Sequence, residues 1–502
     1  MAVKRYLADL DTTITDAFKS DLSTRGTGSN MGASDILETF SIYAQATTAS
    51  LERSRILTRF PISTITTDRT NSDIPASGSV SFYLRLHNAP HGQTLPRSFT
   101  LTVAPVSRSW EEGHGLDMEE YTDLTHDGTG SNWINAAGGT TWTAEGGDYH
   151  TGSRYDVTFD EGTEDMEIDI SSLVEQWITG STGGGYDNYG VGVFLTASQE
   201  SGSSRTYYTK KFFSRTSEFF FKRPTLEARW DSSEKDNRGN FYYSSSLAPA
   251  ADNLNTLYLY NYVRGQLKNI PSIGKGSIYV DLYSGSGTPS NKLKLSPGGG
   301  VSALGSVSTG SWVSVGIYSA SLSITSTATP LTKLYDVWHN GSTTQFFTGT
   351  ITPVSYSNAV GGPGGHGSMT NPNPSYVSAI TNLRSEYDSS ETSTRIRLYT
   401  RLRDWSPNIY TVASTDIETN IVEDAYYKVF RIADDLEVIK YGTGSLNETR
   451  VSYDRDGSYF DLDMSLLEPG YAYGLKLVYY INNSYREQPE TFKFRVEQKQ
   501  KQ

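Results

Sequence analysis

Two histidines lie four positions apart, at His87 and His91, and imidazole nitrogens are common metal ligands. They are joined by Asn-Ala-Pro at the end of a run that is predicted to be a β-strand. No third ligand backed by a carboxylate is evident near them, and we therefore assign no metal to the pair. His339, in the run Asp-Val-Trp-His-Asn-Gly, is predicted to be a surface residue at a hairpin turn.

An acidic run suggests calcium as the one possible cofactor, because Ca²⁺ requires several carboxylate and carbonyl oxygens. The run consists of Asp160, Glu161, Glu164, Asp165, Glu167 and Asp169. The alternative, which we favour, is a solvated loop that leads into a helix, since a helix N-terminus favours negative charge. A second acidic segment, from Asp454, lacks the Gly and the Glu that a calcium loop requires at its sixth and twelfth positions. Its Asp456-Gly457 pair is predicted to form a hairpin turn instead.

Recognisable catalytic motifs are absent from the sequence. There is no Gly-x-Ser-x-Gly elbow, phosphate-binding loop, dinucleotide fingerprint or zinc-protease motif. A carboxylate pair for glycoside hydrolysis cannot be chosen from 56 acidic residues without a fold. We therefore predict a protein that is not an enzyme.

Two groups of side chains are candidates for binding. Tryptophans Trp110, Trp133 and Trp142 lie in a long polar stretch, where their rings could stack on sugars or fill a small satellite core. Arginines Arg395, Arg397, Arg401 and Arg403 share one face of a predicted strand. Four arginines on one face repel one another unless acids lie opposite, so an acidic protein partner is a reasonable hypothesis for them. The alternative is a solvated strand surface.

The composition indicates which class of fold positions these residues. Only 36% of the 502 residues are hydrophobic, but 12% are aromatic, and Gly, Ser and Thr are abundant, which is typical of β-domains with thin cores and many turns. The absence of cysteine excludes disulfides and thiolate metal sites. A net charge of −13 argues against nucleic acid and anionic membranes as partners, although a local basic face remains possible. No apolar run is long enough for a signal peptide or a membrane-spanning helix, so we expect synthesis in a cytoplasm.

The strands show a period of two, and one short helix interrupts them. Val80, Phe82, Leu84 and Leu86 alternate with polar residues, which indicates one buried and one wet face. Residues 169–180 are predicted to form a helix that Asp169 or Ser171 caps and Gly180 ends. Its structural anchors are Leu173 and Trp177, which we expect to pack against a sheet.

Turn-rich and polar segments divide the chain into three predicted β-domains. They are an N-terminal jelly roll with one short helix (1–231), a middle β-sandwich (241–356) and a C-terminal Ig-like or fibronectin-like sandwich (376–502). The polar run 231–240 is predicted to be a linker, and the Gly- and Pro-rich run 357–375 a boundary or a long loop.

Residues 11–230 resemble the DNRLRE domain, a β-jelly-roll module related to a family of carbohydrate-binding modules. Its motifs appear in the family's order in segments 11–14, 29–42, 54–63, 80–88, 107–113, 168–180, 188–195 and 222–230. Among them, Ile-Asp-Ile-Ser-Ser-Leu-Val-Glu-Gln-Trp-Ile-Thr-Gly at 168–180 is similar to the family's Asp-Val-Thr-x-Leu-Val-x-x-Trp signature. Family members are mostly exported, whereas we predict no signal sequence here, and the family's Trp-Asn-Asn segment is expanded into an insertion at 111–141.

Residues 376–414, which include Arg-Ile-Arg-Leu-Tyr-Thr-Arg-Leu-Arg-Asp-Trp, resemble structural proteins from the virions of large tailed bacteriophages. The resemblance implies a non-enzymatic virion component in the neck or collar, on the head surface, or in the tail or baseplate. Such a component would contact other virion proteins and form a homo-oligomer. A carbohydrate-binding adhesin or receptor-binding protein that contacts a surface glycan, and a polysaccharide-degrading enzyme, are the alternatives.

Overall fold

In the computed structural model of the protein, strands dominate and the chain forms two compact units, Ala2–Trp230 and Asp231–Gln502. The structure describes residues 2–45, 47–48, 50–92, 95–116, 129–202, 205–239, 241–244, 249, 253–293, 303–304, 307–324, 331, 333–342, 344–351, 353–354, 374–403 and 419–498. Among these residues, no helix has both the length and the apolar character needed to span a membrane.

The first unit contains thirteen strands and three helices within its described residues. The strands are β1 (Val3–Leu7), β2 (Leu10–Thr15), β3 (Ile36–Tyr43), β4 (Leu51–Arg59), β5 (Ser81–Leu86), β6 (Phe99–Pro105), β7 (Asn135–Ala137), β8 (Thr140–Thr141), β9 (Tyr155–Phe159), β10 (Met166–Asp169), β11 (Val191–Leu195), β12 (Thr206–Phe213) and β13 (Thr225–Arg229). The helices are α1 (Ile62–Asn71), α2 (Ser171–Thr179) and α3 (Ala197–Glu200).

Two antiparallel sheets of the first unit enclose one apolar core. The smaller sheet has the order β1-β13-β5-β10, and the larger has the order β12-β3-β4-β11-β6-β9, with β2 also paired to β4. Phe82, Leu84 and Leu86 of β5 are fully buried in this core, whereas Tyr83 and Arg85 point to the other face. This alternation confirms the predicted period of two and the all-β class.

Helix α2 lies where the sequence predicts a helix. Leu173 is fully buried and Trp177 is 3% exposed, and both belong to the main core. The N-cap position is Ile170, so the expectation that Asp169 or Ser171 occupies it was wrong. The Asp169 carboxylate nevertheless accepts a 2.8 Å hydrogen bond from the backbone N–H of Ser171, which satisfies one free donor of the first turn. Gly180 ends the helix with a φ of 68°, a conformation that favours glycine.

Helix α1 was not predicted from the sequence. Its ten residues are rich in Thr and bury only Ile65 and Asp68. Contacts made elsewhere in the chain stabilise it: the Tyr6 hydroxyl donates a 2.7 Å hydrogen bond to Asp68, and Arg69 binds Glu175 of α2 through two 2.6 Å hydrogen bonds. Such long-range contacts leave no local sequence signal.

The second unit is also built from strands. They are β14 (Phe241–Tyr242), β15 (Asn255–Tyr260), β16 (Tyr262–Val263), β17 (Gln266–Leu267), β18 (Ile278–Ser284), β19 (Asn291–Lys292), β20 (Ala303–Leu304), β21 (Val307–Ser314), β22 (Ile317–Leu322), β23 (Leu334–His339), β24 (Gln345–Ile351), β25 (Pro353–Val354), β26 (Tyr376–Ile380), β27 (Glu386–Asp388), β28 (Thr394–Leu402), β29 (Ala425–Arg431), β30 (Leu436–Ile439), β31 (Ser452–Asp454), β32 (Gly457–Leu462), β33 (Ala472–Ile481), β34 (Ser484–Glu487) and β35 (Phe492–Glu497).

These strands form two layered regions, which we call the middle and last sandwiches. The middle sandwich contains the order β15-β22-β21-β18-β23-β24 around a core that includes Tyr318 and Trp338. The last sandwich pairs β26-β28-β32-β31 in one sheet and β27-β35-β33-β29-β30 in the other. The predicted boundary at 357–375 falls almost wholly outside the described residues.

The predicted hairpin at Asn340-Gly341 is present, but its loop is longer than the expected two residues. Strand β23 ends at His339 and β24 begins at Gln345, so five residues join them. The backbone N–H of Asn340 donates to the carbonyl of Thr344, and Gly341 has a φ of 85°.

Candidate functional site

The three candidate tryptophans lie together in a small second core of the first unit. They are Trp110, Trp133 and Trp142, which are 6%, 1% and 5% exposed. Two indole N–H groups donate to backbone carbonyls, one of Tyr189 (2.8 Å) and one of Asn132 (2.9 Å). The guanidinium of Arg53 covers the Trp133 ring at 4.9 Å from its centroid. The satellite core is therefore the correct reading of these tryptophans, because burial leaves a sugar no ring face to stack on.

The base of the long insertion is fixed by a buried amide. The Asn30 side chain donates 2.8 Å hydrogen bonds to the carbonyls of Glu112 and Ser131, both within the insertion. The Glu112 carboxylate also binds Arg215 through two charge-assisted hydrogen bonds. Next to this pair, Asp11 is 1% exposed, and one of its oxygens has no partner among the described residues. Burial raises the pKa of Asp11 to about 7.

A groove of about 450 Å³ opens between two loops of the first unit. We call it the loop groove; it is lined by Asn88, Pro90, His91, Leu95, Arg97, Glu161 and Thr163. Arg97 and Glu161 form an ion pair at 3.1 Å, and their side chains are 72% and 62% exposed. The groove thus combines two apolar side chains with exposed hydrogen-bonding groups, which suits a small polar ligand.

A fully buried lysine holds both walls of the loop groove. The ammonium of Lys210 donates to the side-chain oxygen of Asn88 (2.7 Å) and to the carbonyls of Gly162 (2.8 Å) and Glu164 (2.7 Å). These three bonds use all the donors of the group. Burial lowers the pKa of Lys210 to about 8, although the nearby carboxylates of Glu164 and Asp165 oppose that shift.

The two neighbouring histidines do not converge on a shared ion. The Nδ1–H of His87 donates to the Asp165 carboxylate at 2.9 Å, whereas Nε2 of His91 accepts the backbone N–H of Lys211 at 3.2 Å. Burial lowers the pKa of His91 to about 4, so its ring is neutral at pH 7. Within the described part of the chain, no three His, Asp or Glu side chains gather as metal ligands.

The acidic run at 160–169 is distributed among separate partners. Glu167 binds Arg229 (2.8 Å) and Arg85 (3.2 Å), and the Glu164 side chain accepts the backbone N–H of Glu161 (2.6 Å). The Asp165 and Asp169 side chains bind His87 and the start of α2, as described above. The run therefore anchors a loop and a helix, and its carboxylates do not form a calcium cage.

Two of the four candidate arginines are already paired with acids of their own sandwich. Arg395 binds Asp461 through hydrogen bonds of 2.9 and 3.0 Å, and Arg397 binds Asp454 at 3.0 and 2.8 Å. The acids that the hypothesis required from a partner are thus supplied by the chain itself. The remaining two are Arg401, which donates to the carbonyl of Leu402, and Arg403, which is exposed. Neither makes an ion pair with any described residue, so a partner for them stays a prediction.

The segment 231–239 is not the free linker that its polarity suggests. We call it the strap. It runs parallel to β31 of the last sandwich, where the backbone N–H of Asp236 donates to the carbonyl of Tyr453, and that of Tyr453 to the carbonyl of Glu234, both at 2.9 Å. On its other side the Asn237 side chain accepts the N–H of Thr256 in β15. The strap therefore binds strands of both sandwiches.

A buried ion triad fixes the strap to the middle sandwich. The Arg238 guanidinium binds Asp236 at 2.9 Å and Asp336 at 2.6 Å, with side chains that are 10%, 2% and 0% exposed. The indole N–H of Trp338 donates to the same Asp336 oxygen at 2.8 Å. Burial raises the pKa of Asp236 to about 6, and the Arg238 charge opposes that shift.

A tyrosine pair fixes the strap at a second point. Tyr459 of the last sandwich donates a 2.7 Å hydrogen bond to Glu234, and Tyr260 of the middle sandwich donates to the same oxygen at 3.3 Å. Burial is the main cause that raises the pKa of Glu234 and takes those of both tyrosines well above their usual range. The Arg395 guanidinium lies 4.1 Å from the Tyr459 ring centroid, so the paired arginine also supports this contact.

The comparisons with known proteins contribute little beyond the fold. No family model and no curated protein matches the chain. Similar solved structures include tandem Ig repeats of Dlar (10% identity, TM-score 0.13, 45% of this chain and 90% of that chain) and the N-terminal Ig1-2 module of the Drosophila receptor protein tyrosine phosphatase DLAR (10%, 0.15, 49% and 91%). An ICAM-5 D1-D4 ectodomain fragment matches at 8% identity and TM-score 0.12, over 89% and 86% of the two chains. Likenesses this low carry no argument about function, and the DNRLRE and phage resemblances stay predictions.

Proposed function

We propose that the chain is a non-enzymatic structural component of a tailed-phage virion, present in several copies and held there by contacts between β-domains. Its position would be the neck or collar, the head surface, or the tail or baseplate. Its partners would be other virion proteins. The resemblance of residues 376–414 suggests this class; residues 404–414 lie outside the described part.

The strap is the observation that carries the proposal. A protein that keeps its place in a particle benefits from domains that do not reorient, and the strap supplies contacts that oppose reorientation. Moving one sandwich relative to the other would separate Arg238 from Asp336 or Glu234 from Tyr459. Both separations would leave a buried polar group without its partner, which is strongly unfavourable.

The candidate arginines support the same proposal. Arg395 and Arg397 are used within the last sandwich, where they brace the sheet beside the strap. The last sandwich also exposes Tyr471, Tyr480 and Tyr485, and tyrosine is enriched at protein interfaces.

Peptide mass spectrometry tests the proposal. Particles of a tailed phage whose genome encodes the chain would be purified on a density gradient and washed in high salt. We expect peptides from both units in constant ratio to the major capsid protein. Abundant peptides in the lysate together with none in the washed particles would contradict the proposal.

The second candidate function is a carbohydrate-binding adhesin or receptor-binding protein, and the loop groove is the observation that favours it. Calorimetric titration of the full chain with host-surface oligosaccharides tests this candidate. An Arg97→Ala variant serves as the control, because it removes an exposed polar group from the groove wall. Saturable binding by the unmodified chain that Arg97→Ala weakens would favour the adhesin. The absence of a saturable heat of binding would rule out this candidate function.

A further inference from the structure

The negative charge of the chain is concentrated in its first part. Residues 1–230 contain 19 Lys and Arg against 30 Asp and Glu, a net charge of −11. Residues 231–502 contain 24 against 26, a net charge of −2. A basic surface in the second unit would therefore have an acidic counterpart in the first unit of another copy.

Such a surface exists where two hairpins of the middle sandwich end side by side. We call it the basic tip; it consists of residues 262–268 of the β16–β17 hairpin and 313–316 of the β21–β22 hairpin. Its apolar side chains are unusually exposed to solvent for β-branched and aromatic residues. They are Tyr262 (55% exposed), Val263 (43%), Val313 (39%) and Val315 (46%).

Hydrogen bonds hold the two hairpins of the basic tip together. The backbone N–H of Asn261 donates to the carbonyl of Gly316 at 2.8 Å, and the N–H of Gly316 donates to the Asn269 side chain at 2.8 Å. Gly316 has a φ of 75°, and a Cβ there would lie 2.6 Å from the backbone nitrogen of Lys268. The exposed valines are thus displayed on a tightly connected base.

The charged residues on the two hairpins, and in the segment that follows the first hairpin, are positive. Arg264 and Lys268 are exposed on the first hairpin, and Lys275 lies 4.7 Å from the ring centroid of Trp312 beside the second. In the sequence, no Asp or Glu occurs between Asp252 and Asp281 or between Asp281 and Asp336. The charged side chains carried by the basic tip itself are therefore cations.

We infer that the basic tip docks onto the acidic first unit of a second copy of this chain. Exposed apolar side chains gain by leaving water, and the cations around them select a surface of opposite charge. The first unit, with its net charge of −11, is the part of the protein's own chain that carries the opposite charge. The inference deepens the proposed structural role, on which it rests, by naming the partner and the contact.

The contact joins two different surfaces, so after one contact one copy still has a free acidic first unit and the other still has a free basic tip. Contacts of this type close into rings or continue as open chains, according to the rotation between neighbours. Both outcomes suit a component present in several copies.

Photo-crosslinking of the full chain tests the inference. Val315 is replaced by p-benzoylphenylalanine, and equal amounts of ¹⁵N-labelled and unlabelled protein are mixed, so that cross-links between copies are recognised by mass. We expect such cross-links to peptides from residues 2–230. Tyr485, which is 49% exposed in the last sandwich, receives the same probe as the control position.

Charge reversal then tests whether electrostatic attraction causes the contact between copies. Arg264→Glu combined with Lys268→Glu should lower the yield between copies by about tenfold or more, and so should raising NaCl from 0.05 to 0.5 M, since salt screens exposed charges. Both substitutions are at exposed positions, and the salt series needs no variant.

Three results would overturn the inference: no cross-links between copies, cross-links only to residues 231–502, or a yield unaffected by charge reversal and salt. Labelling of phosphatidylglycerol vesicles in place of protein would also overturn it and would identify the tip as a lipid contact. Detection of the chain in purified virions is independent of all these outcomes, so the inference and the proposed function fail separately.

Discussion

Replacing Arg238 with methionine removes the charge at the centre of the strap while retaining most of the side-chain volume. The guanidinium lies between Asp236 and Asp336, both almost fully buried. Without it, two carboxylates remain in a site closed to water, and the Trp338 indole can serve only one of them. Removing one partner of a buried ion pair typically costs about 3–5 kcal/mol.

Hydrogen exchange measured by mass spectrometry gives a local readout of that loss. A free energy of opening lowered by about 3–5 kcal/mol corresponds to exchange that is faster by roughly two to four orders of magnitude. We expect this change in peptides that cover β15 and β23. Peptides of the first unit provide an internal reference within the same sample.

Two further variants show whether charge is the cause. Arg264→Met removes an exposed arginine from the same sandwich and should leave exchange in β15 within about threefold of the unmodified chain. Arg238→Met combined with Asp336→Asn removes one of the two stranded charges but keeps an acceptor for Trp338, so it should recover part of the loss. The reasoning is refuted if Arg238→Met exchanges like Arg264→Met, or if the double variant is no better than the single one.

Three more predictions concern the first unit, and each can be measured by urea unfolding monitored by tryptophan fluorescence and circular dichroism. Trp177→Ala should lower its free energy of unfolding by about 3–5 kcal/mol, whereas Trp177→Phe should cost less because the indole N–H has no partner among the described residues; a native-like alanine variant would contradict the assigned core position. Lys210→Met should destabilise the unit by on the order of 3 kcal/mol, since it leaves three acceptors unpaired. Burial lowers the pKa of Lys210 from 10.5 to about 8, so between pH 8 and 10.5 the unfolded chain binds a proton that the folded chain does not. The contribution of Lys210 to the free energy of unfolding should therefore rise from pH 8 to pH 10.5. A contribution that does not change over this range would argue against the burial of Lys210. The pKa of Asp11 is raised to about 7, so its contribution is present below about pH 4 and is lost as the pH rises through 7. Asp11→Asn should remove this pH dependence. If the variant loses as much stability between pH 5 and pH 8 as the unmodified chain does, the assignment to Asp11 is refuted.

The elements that could be predicted from the sequence are those that local periodicity defines. The alternation in β5 and the apolar face of α2 both follow from residue spacing, because a half-buried strand or helix must place its apolar residues at fixed intervals. Helix α1 has no such pattern. It forms because Asp68 and Arg69 meet Tyr6 and Glu175, residues that are distant in the sequence.

The same difference between local patterns and long-range contacts explains which candidate sites were interpreted correctly from the sequence. Trp133 and Arg397 were recognisable as unusual residues, but their roles depend on partners elsewhere in the chain. A tryptophan on a sugar-binding loop and one in a satellite core have the same neighbours in sequence. Glu234 and Arg238 were missed because a charged segment rich in Asp and Ser is typical of a linker, and only tertiary structure reveals their burial. The sequence signal that could have indicated a buried segment is Phe241, an aromatic residue directly after the polar run.

An amber codon placed early in the gene, with electron microscopy of the particles made in a non-suppressing host, tests the structural role most directly. The account predicts particles that lack a defined neck, head-surface or tail feature, and recovery of that feature in a suppressor host. Particles of unchanged architecture, from which the chain is absent, would contradict it.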